Sequence, residues 1–138
     1  MEVKDKSLPD LNNPVLWVVE DDISTQRMIA AHLKQHGFRP ILFDSAEKAY
    51  AALRSQTLPA LIILDMLLPG MSGVDLIRLI KKDKAWQQIP VVVVTVLSRN
   101  DAPSGAEESN STYWVNKPFD ANNLIQTIQK ILASVGSS

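Results

Sequence analysis

Five side chains with reactive chemistry stand at the ends of apolar runs in this chain. Val15-Leu16-Trp17-Val18-Val19 leads through Glu20 into Asp21-Asp22. Leu61-Ile62-Ile63-Leu64 ends on Asp65, and Pro90-Val91-Val92-Val93-Val94 ends on Thr95. Tyr113-Trp114-Val115 runs into Lys117-Pro118. If the runs are strands of one parallel sheet, three carboxylates, a hydroxyl and an ammonium meet on its carboxyl edge, where open α/β sheets bind ligands. Carboxylates that close repel one another unless a cation neutralises them. Mg²⁺ suits the task, because it takes one or two carboxylates and a carbonyl oxygen and leaves room for a phosphate. An aspartate so placed can attack phosphorus and become an acyl phosphate. Mg²⁺, the Thr95 hydroxyl and Lys117 then offer charge and donors to the phosphoryl oxygens.

The intervening sequence supplies the elements such a site needs. Residues 61–64 are branched and apolar at every position, as in a strand buried on both faces. A helix is expected from Ser24 to His36, stopped by Gly37, with Ile29 and Leu33 on its buried side. Pro40–Phe43 reads as a short second strand, and Ser45 as the N-cap of a helix over 46–54. Ser72 caps a third helix with Asp75 at the capping-box position, and Val74, Ile77 and Ile80 mark its stripe. Asp120 caps a last helix with stripe residues Leu124, Ile125, Ile128, Ile131 and Leu132. Strand–helix units repeated along the chain predict an α/β fold, a doubly wound parallel sheet with helices on both faces. Residues 1–13 read as a flexible lead-in or linker, 14–134 as one domain and 135–138 as a frayed tail.

Composition narrows the function. Fourteen basic against fifteen acidic residues give a net charge of −1, without the clustered basic excess of a nucleic-acid footprint. No cysteine is present, which removes thiolate metal sites and Cys nucleophiles. The apolar runs are too short to cross a bilayer and the N-terminus has no signal-peptide core. The expectation is a cytoplasmic protein that neither inserts in a membrane nor contacts nucleic acid directly.

With Glu20-Asp21-Asp22, Asp65 followed by Pro69-Gly70, Thr95 and Lys117-Pro118-Phe119 in order, the chain resembles a receiver domain of bacterial two-component response regulators. Separations of 43, 30 and 22 residues between Asp22, Asp65, Thr95 and Lys117 fit that family. The resemblance covers about Val15 to Leu132. It implies a flavodoxin-like five-stranded sheet in the order 2-1-3-4-5. It implies that Asp65 accepts a phosphoryl group from a histidine kinase or histidine phosphotransfer protein, and that the change is read by a downstream protein target. Mg²⁺ would be held directly by Asp22, through water by Asp21, and by Asp65 and the Leu67 backbone carbonyl. Thr95 and Lys117 would bond the phosphoryl oxygens, Pro118 would follow a cis peptide bond, and Trp114 would occupy the aromatic switch position. Such a domain is a regulatory phosphoacceptor and not an enzyme, although it assists its own phosphoryl transfer and slow self-dephosphorylation.

Two departures from the family pattern add expectations. Val96 stands where a small residue is usual, and Leu67 two places after Asp65 is apolar; both should narrow access to a phosphoryl group and slow its loss. Residues 98–112 offer no apolar stripe, so a fourth helix there should be weak or short. The competing reading is a receiver-like interaction module that works without phosphorylation. An aspartyl phosphatase would carry a second acid where Leu67 stands, and Gly70 and Gly73 match neither a dinucleotide fingerprint nor a P-loop.

Overall fold

The structure, a computed structural model, describes residues 13–55, 57–97 and 111–136. Five parallel strands form one sheet: β1 (Val15–Val19), β2 (Arg39–Phe43), β3 (Leu61–Asp65), β4 (Val91–Thr95) and β5 (Thr112–Asn116), in the order β2-β1-β3-β4-β5. Among the described residues four helices accompany them: α1 (Ile23–Gln35), α2 (Ala46–Ser55), α3 (Gly73–Lys82) and α4 (Ala121–Gly136). The doubly wound fold is therefore as the sequence pattern predicts, and the strand order is the one the family resemblance implies. Most of the stretch expected to hold a weak fourth helix, residues 98–110, lies outside the described residues, as do residues 1–12 of the lead-in.

Burial explains the strand chemistry. β3 and β4 are buried at all five positions, which is why both lack polar alternation. β2 lies on an edge and is only partly covered. Pro40 is tolerated there because an edge strand need not donate every N–H. Strand residues of alternate parity feed two cores. Trp17, Val19, Ile62, Leu64, Val91, Val93 and Trp114 pack with α2 and α3 on one face. Leu16, Val18, Leu61, Ile63, Val92 and Val94 pack with α1 and α4 on the other.

Local signals set where the helices begin and end. Ser72 and Asp75 form a reciprocal capping box at α3, which satisfies two backbone donors that a helix start leaves open. Asp120 Oδ1 accepts the Asn122 N–H at 2.9 Å just before α4. At the opposite edge of the sheet, the half-buried Lys81 ammonium donates to the Ile89 carbonyl at 3.1 Å and to Ser111 Oγ at 2.8 Å. It thereby fastens the end of α3 to the starts of β4 and β5. Burial lowers the pKa of Lys81 to about 8.

Candidate functional site

Asp65 is the last residue of β3 and is only 8% exposed. Its Oδ1 accepts the Leu67 N–H at 3.1 Å, so the chain folds back over the carboxylate as it leaves the strand. Gly73 opens α3 directly against this corner. A Cβ there would lie 2.5 Å from the Asp65 carbonyl oxygen and 2.8 Å from Met66 Cα. Both neighbours are backbone and cannot swing away, so the approach of α3 to Asp65 depends on glycine.

The register between β1 and β3 pairs Val19 with Leu64. The next residue of each chain, Glu20 and Asp65, therefore stand side by side. Glu20, Asp21 and Asp65 form a group in which one carboxylate oxygen from each lies within 4.8 Å of the others. Glu20 is 3% exposed, and Asp21 is exposed. Burial is the main cause that raises the Glu20 pKa to about 7; the neighbouring Asp65 carboxylate adds to it and Lys117 opposes it. Lys117 arrives from the end of β5. Its Nζ donates to Glu20 Oε1 at 2.9 Å and reaches Asp65 Oδ2 at 3.5 Å. Burial works against the Lys117 charge, but the hydrogen bond to Glu20 and the field of both carboxylates raise its pKa overall.

Asp22 is placed elsewhere. It is the N-cap of α1, with its carboxylate accepting the Thr25 N–H at 2.9 Å and the Thr25 hydroxyl. These hydrogen bonds hold its pKa low. A carboxylate committed to the first turn of the helix stands outside the group of acids at Asp65. The acidic pair at the end of β1 is Glu20 and Asp21, one position earlier than expected. Glu20 belongs to the acidic motif but the sequence expectation gives the ligand roles to the two aspartates after it. The signal was available, since Glu20 follows the apolar run Leu16–Val19 as Asp65 follows Leu61–Leu64, and Asp22-x-x-Thr25 is an N-cap pattern.

The other expected residues lie around this corner or beneath it. Thr95 ends β4 and is fully buried, its Oγ1 accepting the Leu97 N–H at 3.2 Å. Its carbonyl accepts the Lys117 N–H at 2.8 Å, which ties the ends of β4 and β5 together. The Lys117–Pro118 bond is cis. Val96 and Leu67 are 64% and 55% exposed, two large apolar side chains left in solvent at this edge. Trp114 is buried in the core shared with α2 and α3.

The donor set suits a hard divalent cation. Three carboxylates converge, and among the described residues Glu20 Oε2 is buried without a hydrogen-bond partner. A buried oxygen of this kind is costly unless a proton or a cation satisfies it. All the side-chain donors are oxygens, which favours Mg²⁺ over softer metals.

Comparison with known proteins gives one consistent result. The model of the response regulator receiver domain matches residues 16–129. The phosphate regulon transcriptional regulatory protein PhoB of Klebsiella pneumoniae is 30% identical over 120 residues, which span 87% of this chain and 52% of that protein. The chain thus spans about half the length of the curated relatives first matched. A sensor protein from Polaromonas sp. JS666 superposes with a TM-score of 0.74 at 28% identity, covering 88% of this chain and 97% of that one. The response regulator protein TrrA from Thermotoga maritima, solved in complex with Mg²⁺–BeF, gives a TM-score of 0.74 at 22% identity, over 86% and 98% of the two chains. At that identity the likeness concerns the fold.

Proposed function

Because this chain belongs to the response regulator receiver domain family, a family of regulatory phosphoacceptor domains in two-component signalling, we propose that Asp65 is the residue that takes up the phosphoryl group. The observation that carries this reading is the placement of Asp65: a buried carboxylate between a second buried acid and a lysine ammonium, on the carboxyl edge of the sheet. An Asp65 oxygen attacks phosphorus and the donor's P–N bond to histidine breaks. The imidazole nitrogen leaves with the bonding pair and takes up a proton, and an acyl phosphate remains on Asp65.

Each surrounding residue has a part that follows from its position. Glu20, Asp21 and Asp65, with the Leu67 carbonyl, would hold Mg²⁺. When bound, that ion supplies positive charge toward the phosphoryl oxygens and offsets repulsion among the three carboxylates. Lys117 moves its ammonium from Glu20 to a phosphoryl oxygen. Thr95 turns its hydroxyl from the Leu97 N–H toward another. Trp114, in the core shared with α2 and α3, is where a change at Thr95 can reach packed side chains. Val96 and Leu67 limit access of water to the acyl phosphate and so slow self-dephosphorylation.

Receiver domains act between histidine kinases and effectors. For this chain the proposed partners are a histidine kinase or histidine phosphotransfer protein and a downstream protein. A net charge of −1 supports the view that this domain makes no nucleic-acid contact itself. Among the described residues no helix is long and apolar enough to cross a membrane. Hydroxylamine trapping tests the assignment: after treatment with a phosphodonor, an acyl phosphate yields a hydroxamate at the modified side chain. Peptide mass spectrometry should locate it at Asp65, and a hydroxamate at another carboxylate would refute the assignment.

A further inference from the structure

The turn that carries the Leu67 carbonyl is held from outside by a side chain of α2. Glu47 lies in the first turn of α2. Its Oε2 accepts the Met71 N–H at 3.2 Å across a separation of 24 residues. Gly70, the residue before, has a φ of +75°, and the space where its Cβ would sit is 2.5 Å from the same Glu47 oxygen. Glycine at 70 thus serves both the left-handed backbone and the close approach of this carboxylate. The start of the turn is fixed by the Leu67 N–H on Asp65 and its end by the Gly73 N–H on the Met66 carbonyl, 3.1 Å in each case. Glu47 fixes the tip between them.

We propose that Glu47 is a positioning residue for the phosphoacceptor turn: by accepting the Met71 N–H over Gly70 it holds residues 67–71, and with them the Leu67 carbonyl that would serve the Mg²⁺ site, in one conformation. This rests on the reading of Asp65 and its neighbours as a Mg²⁺ and phosphoryl site. Glu47 is not among the acids grouped at Asp65 and meets the turn at Gly70 and Met71, so its effect passes through backbone order. A carboxylate oxygen and an amide oxygen both accept an N–H, so Gln should replace Glu here and Ala should not.

Calorimetric titration of MgCl₂ into wild type, Glu47→Gln and Glu47→Ala tests this, with amide exchange at Met71 measured on the metal-free proteins. Loss of one such hydrogen bond corresponds to a roughly fivefold weaker Mg²⁺ affinity for Glu47→Ala, with faster Met71 exchange and near wild-type values of both for Glu47→Gln. Equal Mg²⁺ affinity in wild type and Glu47→Ala would overturn the inference while leaving the Mg²⁺ site intact. A Glu47→Gln variant as weak as Glu47→Ala would overturn it as well, because charge and not turn geometry would then be responsible. Absence of Mg²⁺ binding in the wild type itself would refute the underlying reading and the inference with it.

Discussion

Lys117 Nζ sits closer to Glu20 than to Asp65, at 2.9 Å against 3.5 Å. Without a phosphoryl group, the ammonium that should greet the phosphate is paired with a neighbouring buried acid. Removing it leaves two buried carboxylates facing each other without a counter-charge. Allowing for the 23% exposure of the lysine side chain, Lys117→Met should cost about 2 kcal/mol of stability in metal-free protein. Much of that loss should return on adding Mg²⁺ or on the second change Glu20→Gln. Urea denaturation of the two single variants and the double variant measures this, and strictly additive losses would argue against the pairing.

Glu20 links the site to pH. Its pKa is about 7 in the fold, against 4.5 for an ordinary glutamate, with burial as the main cause. A carboxyl with a raised folded pKa contributes stability fully below its unfolded pKa, and that contribution is lost as pH rises through the folded value. Metal-free wild type should therefore lose stability relative to Glu20→Gln between about pH 4.5 and pH 7. Mg²⁺ competes with the Glu20 proton, so its affinity should rise with pH until about 7 and then level off. Calorimetry below and above that pH provides the check, and a pH-independent affinity would contradict the role given to Glu20.

The separation of Asp22 from the acid group makes a discriminating pair of variants. Asp22→Ala removes the α1 cap and should lower thermal stability while leaving Mg²⁺ affinity near wild type. Asp21→Asn should leave the helix cap in place and weaken Mg²⁺ binding strongly. If Asp22→Ala is the variant that loses Mg²⁺, the assignment of Glu20 and Asp21 is wrong.

Val96 follows Thr95 and stays 64% exposed, so it contributes little to the core and stands free at the site edge. Val96→Ala should leave stability nearly unchanged and shorten the lifetime of the phosphorylated form severalfold by opening the path for water. Decay of the phosphorylated protein, followed by intact mass, reads that lifetime; an unchanged lifetime would remove Val96 from the account.

What the sequence made legible, and what it did not, follows from the range of the interactions. Strands β1, β3 and β4 were readable because burial on both faces demands unbroken branched residues. The Ser72–Asp75 capping box was readable because it lies within four residues. Asp65 and Thr95 were readable because each ends such a strand, and Lys117 because it follows the short run of β5 and precedes Pro118. Glu20 carries the same local signal, directly following β1, but its place beside Asp65 is set by the pairing of Val19 with Leu64 across 45 positions. The bond from Glu47 to Met71 and the Lys81 contacts to Ile89 and Ser111 have no local signal at all. They join segments whose proximity only the folded chain creates. Leu67 and Val96 could be marked as unusual from sequence, and their exposure is what makes them relevant to access.

The most direct test of the account is intact mass after incubation with acetyl phosphate, and separately with phosphoramidate, in the presence and absence of Mg²⁺. Wild type should gain a single phosphoryl group with at least one donor only when Mg²⁺ is present, and Asp65→Asn should gain none. An adduct that persists in Asp65→Asn, or no adduct on the wild type from either donor, would contradict the claim that Asp65 is the phosphoacceptor.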